Sequence, residues 1–222
     1  MGGNYFETSE YRIMKINLCG VDIPLPDGKY AINVSGGADS ALLLYILMTY
    51  TQHDVIVTTM ADDELALINS ISASRVVNKV IKLTGNFNVE HSITYVQQYR
   101  HLDQSLIDDE TIKVYYTGVT SNPPDDISIG FGDEDVGSGE TLGLGLPDRS
   151  PNVVRDIWAA EGAICLPFFN VDKTKIAEIY DYLGITETLF PMTVSCTVNT
   201  DDTHCGECWW CEERKWAFGR LV

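Results

Sequence analysis

KYAINVSGGADSALLLYILMTY, residues 29–50, decides the fold. Residues 29–34 (KYAINV) are short, apolar and partly β-branched, as expected of a strand buried on both faces. Residues 41–50 (ALLLYILMTY) are apolar on almost every side, which predicts a buried helix. Between them stands Ser35-Gly36-Gly37-Ala38-Asp39-Ser40. Two glycines let the backbone come close to a ligand and take torsions that other residues avoid. The N–H groups of such a loop, and of the helix it opens, point at an anion. Ser35 and Ser40 add hydroxyls, so the expected ligand is a phosphate group. No Gly-Lys-Ser/Thr follows, which excludes the Walker loop. The plain alternative is a strand-to-helix turn in which Asp39 or Ser40 caps the helix.

Outward from this unit the pattern repeats. Strands are expected at 54–59 (DVIVTT), 88–96, 111–117 (TIKVYYT) and 164–169, and helices at 65–83, 97–109, 153–161 and 173–183, the last closed by Gly184. Residues 11–25 read as one or two short strands before a turn at Pro24, Pro26, Asp27 and Gly28. The alternation predicts an α/β, Rossmann-like parallel sheet with helices on both faces. Ligands of such sheets lie beyond the C-terminal strand ends. Gly118, at the end of the fourth repeat strand, falls on that rim. Residues 122–151 are rich in Gly, Pro and Asp and break the pattern, as an active-site lid or a passive insertion would.

Near the C-terminus, Cys196, Cys205, Cys208 and Cys211 have the spacing Cys-x8-Cys-x2-Cys-x2-Cys. Four thiolates at this spacing predict a closed, structural zinc site with no position left for water. Residues 206–218 are expected to form a helix carrying Cys208 and Cys211 on one face. Cys19 and Cys165 stand alone in apolar surroundings and read as packing residues. His53, His91 and His101 are scattered and form no catalytic set.

With 222 residues the chain can build one sizeable core and a small appended module. The expected organisation is a nucleotide-binding α/β domain over 1–195 and a zinc module over 196–222. The net charge of −17 disfavours direct binding of nucleic acid, which needs a basic face, and favours a small-molecule substrate. There is no long apolar run, and the first residues lack the features of a signal peptide, so a cytoplasmic protein without a membrane partner is expected.

The glycine loop resembles the PP-loop of ATP pyrophosphatases, which split ATP into AMP and pyrophosphate. The resemblance implies that Ser35, Gly36, Gly37 and Ser40 hold the pyrophosphate end and that Asp39 helps hold Mg2+. It also places adenine beside Thr59 and Met60. Loop and cysteines in this order resemble the 7-cyano-7-deazaguanine synthase family of the queuosine pathway. The match runs through Pro167-Phe168-Phe169, Asp172-Lys173-Thr174-Lys175-Ile176 and Leu183-Gly184-Ile185. It continues through Ser195-Cys196, Cys205-Gly206-Glu207-Cys208-Trp209-Trp210-Cys211 and Arg214-Lys215-Trp216-Ala217-Phe218. Met60-Ala61-Asp62-Asp63 stands where that family carries Tyr-Gly-Gln.

The family resemblance implies an adenine nucleotide alpha hydrolase-like fold and an ATP-dependent C–N ligase. Its substrates would be 7-carboxy-7-deazaguanine and ammonia, its cofactors ATP, Mg2+ and Zn2+, and its assembly a homodimer. Lys175 best matches the family's basic residue and would touch pyrophosphate, although a solvated helix turn explains it nearly as well. Two other classes remain open: a PP-loop enzyme that adenylates another carboxylate, an amide or a tRNA base, and a nucleotide-binding module that has lost its chemistry.

Overall fold

The computed structural model describes residues 4–8, 11–61, 66–124, 149–196, 198 and 202–222. The chain opens with an antiparallel meander of β1 (Asn4–Thr8), β2 (Tyr11–Leu18) and β3 (Val21–Pro26). The one or two strands expected over residues 11–25 are β2 and β3, and β1 precedes them. Leu18, Val21, Ile23 and Leu25 bury their side chains in the main core, so this small sheet is a flank of it.

The central sheet alternates as expected: β4 (Lys29–Asn33), α1 (Ala38–Tyr50), β5 (Val55–Ala61), α2 (Ala66–Thr84), β6 (Val89–Tyr95), α3 (Val96–Ile107) and β7 (Ile112–Tyr116). Two short strands, β8 (Trp158–Ala159) and β9 (Ile164–Cys165), complete it, followed by α4 (Lys173–Tyr182) and α5 (Trp209–Phe218). The strand order is β6-β5-β4-β7-β9-β8. All pairs are parallel except β8 with β9. From β4 the chain first winds toward β6 and then returns to lay β7 on the other side. The strand order therefore reverses between β4 and β7, where doubly wound sheets open a crevice for ligands.

The period-two alternation of the strands divides the core. Tyr30, Ile32, Val55, Val57, Val114 and Tyr116 pack toward α1, α2 and α4. Ala31, Ile56 and Tyr115 face α3, where Leu106 meets them. Helix α1 is buried around most of its circumference, from Ala38 to Met48, which is why its sequence shows no polar stripe. Helix α4 holds α5 through aromatic side chains: Phe190 and Phe218 stack at 4.0 Å, and Tyr180 stands edge-on to both.

Three expectations need correction. Residues 153–161 do not form an α-helix; one 3-10 turn begins at Ala160. Trp158 and Ala159 pair with Cys165 and Ile164 instead, and Glu161 lies at φ 56. Arg155 and Asn170 exchange hydrogen bonds of 2.8 and 2.7 Å, which ties the preceding stretch down in extended form. This tertiary pairing overrides an apolar spacing that is itself rich in β-branched and aromatic residues. The strand expected over 164–169 stops at Cys165, and the chain turns through Phe169 N–H to Leu166 O and Val171 N–H to Phe168 O. The last helix starts at Trp209, so Cys208 is its N-cap and only Cys211 rides on it. Residues 125–148, most of the stretch read as lid or insertion, lie outside the described residues.

Candidate functional site

The glycine loop joins β4 to α1 at the point where the strand order reverses. Gly36 has φ +88, and a Cβ there would stand 2.4 Å from Ser72 Cβ and 2.9 Å from Ala73 N of α2. Only glycine fits, because a larger residue would push the loop off the second helix. Gly37 is the N-cap of α1 and makes no side-chain capping bond. The first-turn N–H groups therefore point outward without a side-chain acceptor, as an anion site requires. Ser40 Oγ donates to Gly37 O at 3.2 Å, and Ser35 Oγ accepts from Gly37 N–H at 3.4 Å. Neither Asp39 nor Ser40 is the cap; both lie within the first helical turn.

Gly118 reaches the same spot from β7. A Cβ on it would lie 2.8 Å from Ser40 N and 3.0 Å from Asp39 C. It is therefore a close-approach glycine that seats the β7 exit against the start of α1. On the other side, Thr59 at the end of β5 is fully buried. Its hydroxyl is 2.8 Å from both Val34 O and His91 Nε2. The side chain expected beside adenine thus links three neighbouring strands, β4, β5 and β6, and half-buried Met60 is the next residue along β5. Burial lowers the His91 pKa below the ordinary histidine value.

Asp39 gives the loop its chemical character. Its Oδ1 is buried and has no hydrogen-bond donor. Its Oδ2 lies 3.3 Å from Lys173 Nζ. Lys173 is 3% exposed and stands at the first position of α4, after the N-cap Asp172. It also donates to Glu213 Oε2 at 2.7 Å. Burial opposes the Lys173 charge, but Asp39 and Glu213 outweigh it and hold the pKa above the usual lysine value. Glu213, 0% exposed on α5, has its pKa raised by burial and by Asp39, against the pull of Lys173 and Arg149. Its Oε1 lies 3.8 Å from Arg149 Nη2. Arg149 is anchored at 2.6 Å to Thr120 O and lies over both Trp209 and Trp210, which pack edge to face. Lys175, the cation favoured from the motif, turns elsewhere. Its ammonium pairs with Glu178 on the exposed side of α4, where Glu178 O also accepts from Cys19.

The four cysteines converge. Their sulfur atoms all lie within 4.8 Å of one another. Thiolates held about 2.3 Å from one ion form a tetrahedron with edges of roughly 3.8 Å. The Cys205–Cys211 and Cys196–Cys208 separations are 3.9 and 4.0 Å. Main-chain N–H groups of Glu207 and Cys208 donate to Cys205 Sγ at 3.5 and 3.3 Å and pull its pKa down to about 6. Burial pushes Cys211 up to about 12. The donor set fits zinc and leaves no place for a substrate.

This centre is tied to the loop. Val194 N–H donates to Gly36 O at 3.0 Å. Arg214, fully buried, donates to Thr193 Oγ1, Phe190 O, Thr193 O and Leu221 O at 2.6–3.2 Å and lies flat over Phe190. Its pKa falls to about 10 through burial. Arg75 of α2 grips Asp202 and Met192 O, and Ser72 donates to Asp202 at 2.6 Å.

The sequence sets both Lys173 and Lys175 at a helix start near the phosphates and the motif favours Lys175; spacing did not point to Glu213 or Arg149. The available signal was charge at core positions of α5: Cys211, Arg214 and Phe218 share one helical face, and Glu213 adjoins it.

Residues 145–222 match the model of the family described as Queuosine biosynthesis protein QueC. This stretch includes Arg149, Lys173, the cysteines, Glu213 and Arg214, and over it the chain is QueC-like, as the motifs suggested. No curated protein matches the chain. Among solved structures it is similar to NMN synthetase from Francisella tularensis, with 14% identity and a TM-score of 0.41, over 88% of this chain and 79% of that one. No helix among the described residues is long and apolar enough to cross a membrane.

Proposed function

We propose that this chain is an ATP pyrophosphatase-type ligase that turns 7-carboxy-7-deazaguanine and ammonia into the nitrile 7-cyano-7-deazaguanine. One observation carries the reading. An uncapped helix start and a buried, unpartnered Asp39 oxygen lie in the crevice of the sheet, against a QueC-like segment that supplies Lys173.

A carboxylate resists attack because its leaving group would be oxide. Its oxygen attacks the α-phosphorus of ATP, and pyrophosphate leaves. Ammonia then displaces AMP to give the amide. The amide oxygen attacks a second ATP, and loss of AMP with two protons leaves the C≡N bond. The balance is acid plus ammonia plus two ATP, giving nitrile, two AMP and two pyrophosphate.

The protein's part is positional and electrostatic. Gly36 and Gly37 bring backbone N–H groups against the leaving pyrophosphate. Lys173 faces the same charge from α4. Asp39 would hold magnesium, which when bound screens the phosphate charge. Thr59 ties together the strands that border adenine, and Gly118 holds the rim between nucleotide and acceptor. The cysteine quartet would hold zinc, which supplies folding rather than chemistry. No side chain need act as nucleophile.

The test incubates the metal-loaded protein with ATP, magnesium, ammonium and 7-carboxy-7-deazaguanine, read by mass spectrometry, with Asp39→Ala as control. Nitrile and AMP that disappear in the control support the proposal. AMP without nitrile would mean another acceptor, and no AMP would leave only a binding module.

A further inference from the structure

Glu213 belongs to neither signature. It is an acidic residue with 0% exposure, on the helix that carries Cys211, facing the nucleotide loop from the opposite wall. A buried carboxylate is costly unless it is paired. Glu213 is paired to two cations: Oε2 accepts from Lys173 at 2.7 Å, and Oε1 faces Arg149 at 3.8 Å without a hydrogen bond. Both cations come from other parts of the chain, Lys173 from the start of α4 and Arg149 from the stretch before β8.

We infer that Glu213 is a positioning residue that holds Lys173 beside the loop and keeps it from collapsing onto Asp39. This rests on the nucleotide site proposed above and adds a device within it. Two carboxylates compete for the one ammonium. Glu213 holds it at 2.7 Å and Asp39 at 3.3 Å, so Asp39 keeps one oxygen with no donor. With glutamine in place of Glu213, Asp39 becomes the only full counter-charge for a buried ammonium. The pair then closes, which removes both a cation from the phosphates and a carboxylate from the metal position. Because α5 also carries Cys211 and Arg214, the helix that the cysteine quartet fixes sets this geometry.

The opposite sign would betray a bystander. Removing a negative charge beside a polyphosphate site tightens anion binding if the charge only repels. It loosens binding if the charge positions a ligand group. The experiment is isothermal titration of metal-loaded protein with magnesium and α,β-methylene-ATP, and separately with AMP. The variants are wild type, Glu213→Gln, Lys173→Met and the double variant. Metal content and thermal midpoint are measured on each.

The expected result is an analogue affinity about tenfold to a hundredfold weaker in Glu213→Gln. AMP affinity should be unchanged, and the loss should vanish in the Lys173→Met background, since the two residues act as one unit. Tighter or unchanged analogue binding in Glu213→Gln overturns the inference, as does a loss that adds fully to that of Lys173→Met. An equal loss for AMP, or a loss that tracks metal content or the midpoint, overturns it too by showing a general structural role. If the wild type binds neither ligand, the nucleotide site itself is wrong and the inference falls with it.

Discussion

Replacing Arg214 by methionine should be among the most damaging single changes outside the sheet. Methionine fills much of the same space but donates nothing. The guanidinium bonds to Phe190 O, Thr193 O and Thr193 Oγ1, at 3.1, 3.2 and 2.8 Å, are then lost in a buried setting, although Phe190 O keeps the Thr193 N–H at 3.0 Å and the Thr193 hydroxyl at 2.7 Å. Leu221 O, which receives its bond at 2.6 Å, is only half-buried, so water can replace the arginine there. Each buried hydrogen bond to a charged group contributes about 1.5–3 kcal/mol. Part of this is offset because the guanidinium no longer has to be desolvated, the cost that pulls its pKa down to about 10. The net loss should be about 3–5 kcal/mol, typical for removing one partner of a buried charged network. In a chain of 222 residues that is a drop in thermal midpoint on the order of 10 °C. Arg214→Lys keeps the charge but not the fork, and should fall between methionine and wild type. Urea unfolding at fixed metal loading measures all three. A methionine variant within about 1 kcal/mol of wild type, or a lysine variant equal to it, would refute the view that this fork clamps α5 to the segment before Cys196.

Gly36→Ala should abolish nucleotide-analogue binding in titration calorimetry while the far-UV spectrum stays α/β, because φ +88 and the 2.4 Å approach to Ser72 leave no room for a methyl group. Metal analysis should find about one zinc per chain, lost in Cys208→Ser, and chelation should lower the thermal midpoint by releasing α5. His91→Gln removes one titration. The folded-state pKa of His91 is depressed by burial, so the unfolded chain takes up the proton first as the pH falls below about 6.5. The His91 contribution is therefore present above that pH and lost toward the depressed value. The stability difference between wild type and His91→Gln should shrink on acidification through that window; a difference constant from neutrality to about pH 5 would contradict the assignment.

Much of the architecture could be read from local pattern. Strand β4, the glycine loop and α1 are contiguous, and their apolar runs and glycines speak for themselves. The cysteines are legible because metal spacing is a local signal. Non-local pairing was not legible. The stretch before β9 has helical spacing, yet Trp158 and Ala159 find a strand partner. The choice between Lys173 and Lys175 is a matter of which face of α4 meets α1, and two residues at a helix start do not announce it. Lys173 and Glu213 are 40 positions apart, and a buried carboxylate on an otherwise charged stretch looks like a solvated one until its neighbours are known.

The most direct test of the central claim is a 31P NMR record of ATP consumed by the metal-loaded protein with magnesium, ammonium and 7-carboxy-7-deazaguanine. Cleavage between the α- and β-phosphorus, seen as AMP and pyrophosphate appearing together only when the acceptor is present, is the predicted result. ADP with inorganic phosphate, or turnover indifferent to the acceptor, would contradict it.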